Sequence, residues 1–192
     1  MKKSLSEKKQ FIFFERIKRI LEIYTFSKEC FVITSYFQTS TLSKDYELLS
    51  RYNSLYTIKY ATMHVSIIEL LKLYDPKGEQ SIIRFIKRCV IGDFYLDLKK
   101  NDWLITCLYR IENEIDLTDL INRLKDFRDK KLAHTDTYQK ITSVKAITYE
   151  ELKQMLNLTF EILTFFKPYC ILITEYIDYP DSSFQELMKN LN

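Results

Sequence analysis

Phe127 to Asp136 reads FRDKKLAHTD, and it holds one of only two histidines in the chain, His134, six residues after Arg128. Histidine is the side chain that exchanges a proton near neutral pH, and arginine offers a fixed fork of donors to an anion. An Arg–His pair therefore has the parts for acid–base chemistry on a negatively charged group. It also fits a plainer description, a helix end where cations are favoured by the dipole and long side chains reach out to water.

Counted at about 100° per residue from Leu124, the residues Leu117, Leu120, Ile121 and Phe127 fall within about 60° of it and form an apolar stripe. On the same count Arg128 falls at about +40° and Lys131 at about −20°, inside that stripe, while His134 borders it at about −80°. Asp126, Asn122 and Asp129 lie outside it. Polar residues thus continue a face that should stay apolar, which points to a wet cleft or an interface at this helix end. Arg128 and His134 are about 120° apart on the wheel, so one straight helix does not aim both at one group. A two-fold dimer, or unwinding at LAHTD, would resolve this.

The elements that must position the motif read as helices. Gly 2 and Pro 3 in 192 residues leave too few turn formers for a strand-rich fold. Hydrophobic residues at 46% and charged residues at 29% describe a globular chain. The aromatic load, Tyr 14, Phe 13 and Trp 1, suits thick helix packing or an extensive interface. The spacing predicts a helix from about Ser6 to Phe37, a break at QTSTLSKD, and a second helix from about Lys44 to Tyr74. The stripe of that second helix is Leu48, Tyr52, Leu55, Tyr56, Tyr60, Met63, Ile67, Leu70, Leu71 and Tyr74. DPKG, Asp75 to Gly78, is the clearest turn. EQSIIRFIKRCV reads as a short helix stopped at Gly92, GDFYLDLKKND as a connector, and Trp103 to Glu114 as another short helix.

Asp116 resembles an N-cap, with Asp119 three residues on, for the helix that carries the motif. A polar loop, TDTYQKITSVKAI, follows His134. Thr148-Tyr-Glu-Glu151 is a capping box opening a helix that reaches Ile177 with an adjustment at Pro168, and a short amphipathic tail follows YPDSS. The expectation is a single all-α domain over residues 1–192, an up-and-down bundle of four or five main helices with short extra ones.

Several function classes recede. The net charge of +3 is too small to argue nucleic-acid binding by itself. Cys30, Cys89, Cys107 and Cys170 are scattered, with no CxxC pair and no metal-ligand spacing, as in a reduced cytoplasmic protein. The basic start followed by FIFF is interrupted at Glu15 and Arg16, so no targeting signal is expected. LNLTFEILTFFKPYCILITEYI contains Glu161, Lys167, Pro168 and Glu175 and reads as a buried helix rather than a membrane span. SIIRFIKRC is basic and aromatic, but packing explains its spacing. His64, beside the stripe of its helix, reads as a core residue without a chemical role.

The string Arg128-Asp129-Lys-Lys-Leu-Ala-His134 resembles the signature of the HEPN superfamily of small helical bundles, an Arg, a polar residue and then a His after four to six intervening positions, here five. RDKKLAHTD as a whole, lying between a helix and a Thr-x-x-Glu helix start, is similar to the abortive-infection branch, where an R-D/N-K-x-x-A-H-x-D string is typical. SIIELLKLYDPKGEQSIIRFI also looks like that branch, with an aromatic–Asp pair closing a helix before a short one. The resemblance spans roughly Lys44 to Phe166.

What it implies is metal-independent endoribonuclease activity without a cofactor, in toxin–antitoxin or abortive-infection defence. It also implies a homodimer that brings two motifs into one cleft, and an antitoxin or nucleotidyltransferase partner. By position, His134 would move the proton at the ribose 2′-OH or the leaving oxygen, Arg128 would hold the scissile phosphate, and Asp129 would orient one of them. Lys130 and Lys131 would guide the RNA backbone, although a lysine pair is more often a solvated helix face. The other class of reading is a non-catalytic HEPN-like module that binds a partner protein or a nucleotide, since the fold does not determine the activity.

Overall fold

The computed structural model describes residues 5–39, 47, 51–113, 117–129 and 147–177. Among these, all regular structure is helical: α1 Leu5–Thr39, α2 Asn53–Tyr74, α3 Ile82–Val90, α4 Asp102–Asn113, α5 Leu117–Phe127, α6 Tyr149–Phe166 and α7 Ile171–Ile177, with a 3₁₀ turn at Lys167–Tyr169. The all-α bundle expected from the scarcity of glycine and proline is what forms. Buried apolar residues from every one of these helices join one cluster. Lys130, Lys131 and His134, the break at QTSTLSKD, the cap at Asp116, the TDTYQKITSVKA loop and the tail after YPDSS lie outside the described residues.

The bundle is built on α1 against α2. Phe13, Ile17, Ile20, Leu21 and Tyr24 keep helical spacing on α1 and are buried. Ser27 pairs with Ser66, and Thr34 with Thr62; the α2 number falls as the α1 number rises, so the helices run antiparallel. The Ser27 hydroxyl donates to the Ser66 carbonyl and the Ser66 hydroxyl to the Ser27 carbonyl, each at 3.1 Å, in a fully buried exchange. Small side chains bring the two backbones close, and the reciprocal hydrogen bonds satisfy the hydroxyls that this closeness buries.

The second half of α2 is the buried half, with Ile67, Leu70, Leu71, Leu73 and Tyr74 in the core. Its first half departs from the expected stripe: Tyr52, Tyr56 and Tyr60 are 49%, 52% and 47% exposed. α5 and α6 meet the later turns of α2, through Phe127 beside His64 and through Met155 and Thr159 at Tyr74. Tyr74 is fully buried, and its hydroxyl donates to the Met155 carbonyl at 2.7 Å and lies 2.9 Å from the Thr159 hydroxyl. This locks the end of α2 to α6.

The punctuation is local and legible. α2 stops at Asp75, where Pro76 cannot continue the helix, and the Gly78 N–H donates to the Asp75 carbonyl at 2.9 Å. α3 is capped by Ser81 and ends at Gly92, whose φ of +77° is a conformation that favours glycine. The connector that follows is anchored by Phe94, which packs against Phe13 and Phe85 at 5.4 and 5.3 Å between ring centroids. Pro168 ends α6 in the 3₁₀ turn, so the single long helix expected to reach Ile177 is two helices. No helix is long and apolar enough to cross a membrane among the described residues.

Candidate functional site

α5 carries the motif, and Leu120, Ile121, Leu124 and Phe127 bury its apolar stripe as counted. The stripe then ends. Arg128 has 46% of its side chain exposed, instead of continuing the buried face. The backbone explains the difference, because it widens from an α to a π turn at Arg128 and Asp129. An i→i+5 turn shifts the phase of the wheel, so a count of 100° per residue fails at this point.

Arg128 is paired with its neighbour: its Nε donates to Oδ1 of Asp129 at 2.6 Å. That hydrogen bond raises the Arg128 pKa, slight burial opposes it, and the charges of Asp129 and Asp75 add to the rise. The guanidinium is therefore a permanent cation at an exposed helix end, with one edge held by a carboxylate. Such a group suits binding an anion and does not suit donating a proton.

The arginine that the fold does bury is Arg123, which reading the sequence did not single out. It is 9% exposed and held by two carboxylates from two helices. Its Nε donates to Asp119 at 2.8 Å, and its two terminal nitrogens fork onto Glu151 at 3.2 and 2.5 Å. Glu151 also accepts the Thr148 N–H at 2.8 Å, closing the capping box that opens α6. Its carboxyl is lowered to about 2, first by the Arg123 hydrogen bond and then, against some burial, by the Thr148 donors. The i, i+4 pair Asp119–Arg123 was a signal within the sequence; the partner Glu151, 28 positions on, was not.

The clamp ties α5 to the first turn of α6, on either side of residues 130–146. Ile147, buried, and Tyr149, whose hydroxyl donates to the Thr34 carbonyl at 3.3 Å, anchor that second stem to the bundle. On the first stem Lys125 reaches Asp75 at 3.3 Å, and Phe127 packs against the His64 ring at 5.3 Å. The half-buried His64 thus touches the residue before Arg128. Of the Tyr74–Asp75 pair quoted above for its resemblance, Asp75 faces the same helix end, while Tyr74 turns to α6. Of the motif residues, Arg128 and Asp129 are brought together here, while Lys130, Lys131 and His134 lie outside the described residues.

No protein-family model matches the chain, and no curated protein and no solved structure matches it significantly.

Proposed function

We propose that the protein is a HEPN-like, metal-independent endoribonuclease of a bacterial toxin–antitoxin or abortive-infection system, acting in the cytoplasm as a homodimer. The observation that carries the reading is Arg128: an exposed cation, braced by Asp129, at the end of a helix whose two flanking stems are clamped, in the frame Arg128-x5-His134. A guanidinium held on one edge and open on the other suits the scissile phosphate and the charge that develops on its oxygens.

In this mechanism His134 takes the proton from a ribose 2′-OH as its oxygen attacks the adjacent phosphorus. The P–O5′ bond breaks, and a proton is delivered to the departing 5′-oxygen. The products are a 2′,3′-cyclic phosphate and a 5′-hydroxyl. Asp129 keeps Arg128 oriented, Lys130 and Lys131 lie along the RNA backbone, and a cognate antitoxin or nucleotidyltransferase restrains the activity.

Expression of the wild-type chain should arrest growth, and His134→Ala or Arg128→Ala should relieve the arrest. In vitro, His134→Ala should lose about 10²–10⁴-fold in cleavage rate, and Arg128→Ala about 10²–10³-fold. Cleavage should persist in EDTA and leave the cyclic phosphate end. A folded chain that cleaves no RNA, or cleaves it undiminished in both variants, refutes this reading.

The exposed aromatics favour a second reading, a non-catalytic binding module. Tyr52, Tyr56 and Tyr60 on α2, and Tyr109 with Phe160 on α4 and α6, present large apolar surface to solvent. In that case Arg128→Ala weakens self-association or partner binding, and RNA is untouched.

A further inference from the structure

A cleft of about 470 Å³ opens between the Asp75–Gly78 turn, α3 and α5, on the side of α5 that also presents Lys125. Its apolar lining is the exposed ring of Pro76 together with Ile83 and Ile121, which are almost wholly buried by the bundle behind them. Its charged lining is three ammonium groups, Lys77 on the turn, Lys87 on α3 and Lys125 on α5, and two carboxylates, Asp75 and Glu112 of α4. Asn122, exposed on α5, also lines it and carries both a donor and an acceptor. The volume is that of a small-molecule site and too small for a protein element.

Two carboxylates answer the three ammonium groups. Lys87 meets Glu112 at 3.2 Å with both side chains 54% exposed, a contact that water screens and a phosphate can take over. Lys125 meets Asp75 at 3.3 Å with more of both groups buried, and this pair positions Lys125. Arg128 follows Lys125 by three residues, about one helical turn and about 5 Å along the axis. The charge of Asp75 reaches Arg128 as well. Asp75, which lines the cleft, is thus within electrostatic reach of the candidate phosphate-binding arginine.

The geometry points to a nucleotide subsite: the cleft takes one nucleotide of single-stranded RNA, its base against Pro76 over the floor of Ile83 and Ile121, its edge read by Asn122 and its phosphate held by Lys87 and Lys125. Assignment of this nucleotide as the neighbour of the scissile phosphate rests on the ribonuclease reading. The binding itself does not. A concave, partly apolar cleft with a few placed polar and cationic groups has the parts to hold a base and its phosphate. The asparagine amide, donor beside acceptor, matches the N6 and N7 positions of adenine, so adenine is the base it favours.

The test uses the full chain and three probes, adenosine 5′-monophosphate, uridine 5′-monophosphate and inorganic phosphate, titrated calorimetrically. Lys87→Glu and Asn122→Ala are both at exposed helical positions, and circular dichroism verifies that each folds. The adenine nucleotide should bind with a Kd below about 1 mM. Asn122→Ala should weaken it by about fivefold and erase its advantage over the uridine nucleotide. Lys87→Glu should weaken both nucleotides by about fivefold or more. No binding at all, inorganic phosphate binding as tightly as the nucleotides, or binding indifferent to both variants would overturn the assignment. The two readings fail separately: a chain that cleaves RNA but binds neither nucleotide loses the subsite alone. One that binds the adenine nucleotide yet cleaves no RNA loses the ribonuclease reading alone.

Discussion

Removing Arg123 should loosen a clamp that, among the described residues, ties the two stems of the motif segment together. Arg123→Ala leaves Glu151 without its fork and removes the Arg123 hydrogen bond from Asp119, while the Thr148 donors remain on Glu151. The Glu151 carboxyl lies at about 2 against an ordinary 4.5, a gap worth at most about 3.5 kcal/mol at about 1.4 kcal/mol per pH unit. Only part of that is Arg123, and Glu151 keeps 28% of its side chain in water, so about 2 kcal/mol is expected. In a chain of this size that lowers Tm by about 4–8 °C.

The sign with pH follows from the depression of a carboxyl. The folded pKa lies below the unfolded one, so the stabilisation is fully present above about pH 5 and is lost as pH falls toward 2. Arg123→Ala should therefore show a shallower acid limb than the wild type, and the two should converge near pH 2. The assay is urea unfolding at pH 7, 4 and 2.5 on the wild type, Arg123→Ala, Glu151→Gln and the double variant. A coupling of about 1 kcal/mol or more at pH 7 that fades at pH 2.5 supports the clamp. Additivity within about 0.5 kcal/mol, or an unchanged acid limb, refutes it.

Tyr74→Phe should cost about 1 kcal/mol in urea unfolding, because the Thr159 hydroxyl also donates to the Met155 carbonyl and remains to satisfy it. A loss above about 3 kcal/mol would mean that the ring itself is displaced. The four cysteines are free and buried, and burial pushes Cys89 up to about 12 and Cys30 and Cys107 to about 11. All four should resist a thiol reagent at pH 8 in the native protein and react fully in denaturant; fast native labelling would contradict their burial.

The helices and their stops were readable because each signal acts within a few residues. Thr148 and Glu151 are three apart, and the box they form is present with both hydrogen bonds. Gly92 stops α3 through its own φ, and Pro76 and Pro168 end helices through the donor each lacks. The stripe of α5 was correct as far as Phe127, since a regular helix keeps one angle per residue. It failed at Arg128, where the backbone turn changes, and a wheel carries no record of that.

The tyrosines of α2 failed for another reason. Periodicity states which residues share a face, and Tyr52, Tyr56 and Tyr60 do share one, but among the described residues no helix packs over that part of it. Which face is covered depends on where α5 and α6 reach, and this is settled by contacts such as Tyr74 to Met155, 81 residues apart. By itself the amino-acid order determined an all-helical chain, the ends of most helices, and an Arg128–Asp129 pair beside His134. Only the tertiary structure decided that Arg123 rather than Arg128 is the buried arginine. A charge is tolerated inside only where carboxylates meet it, and here one of those carboxylates arrives from a different helix.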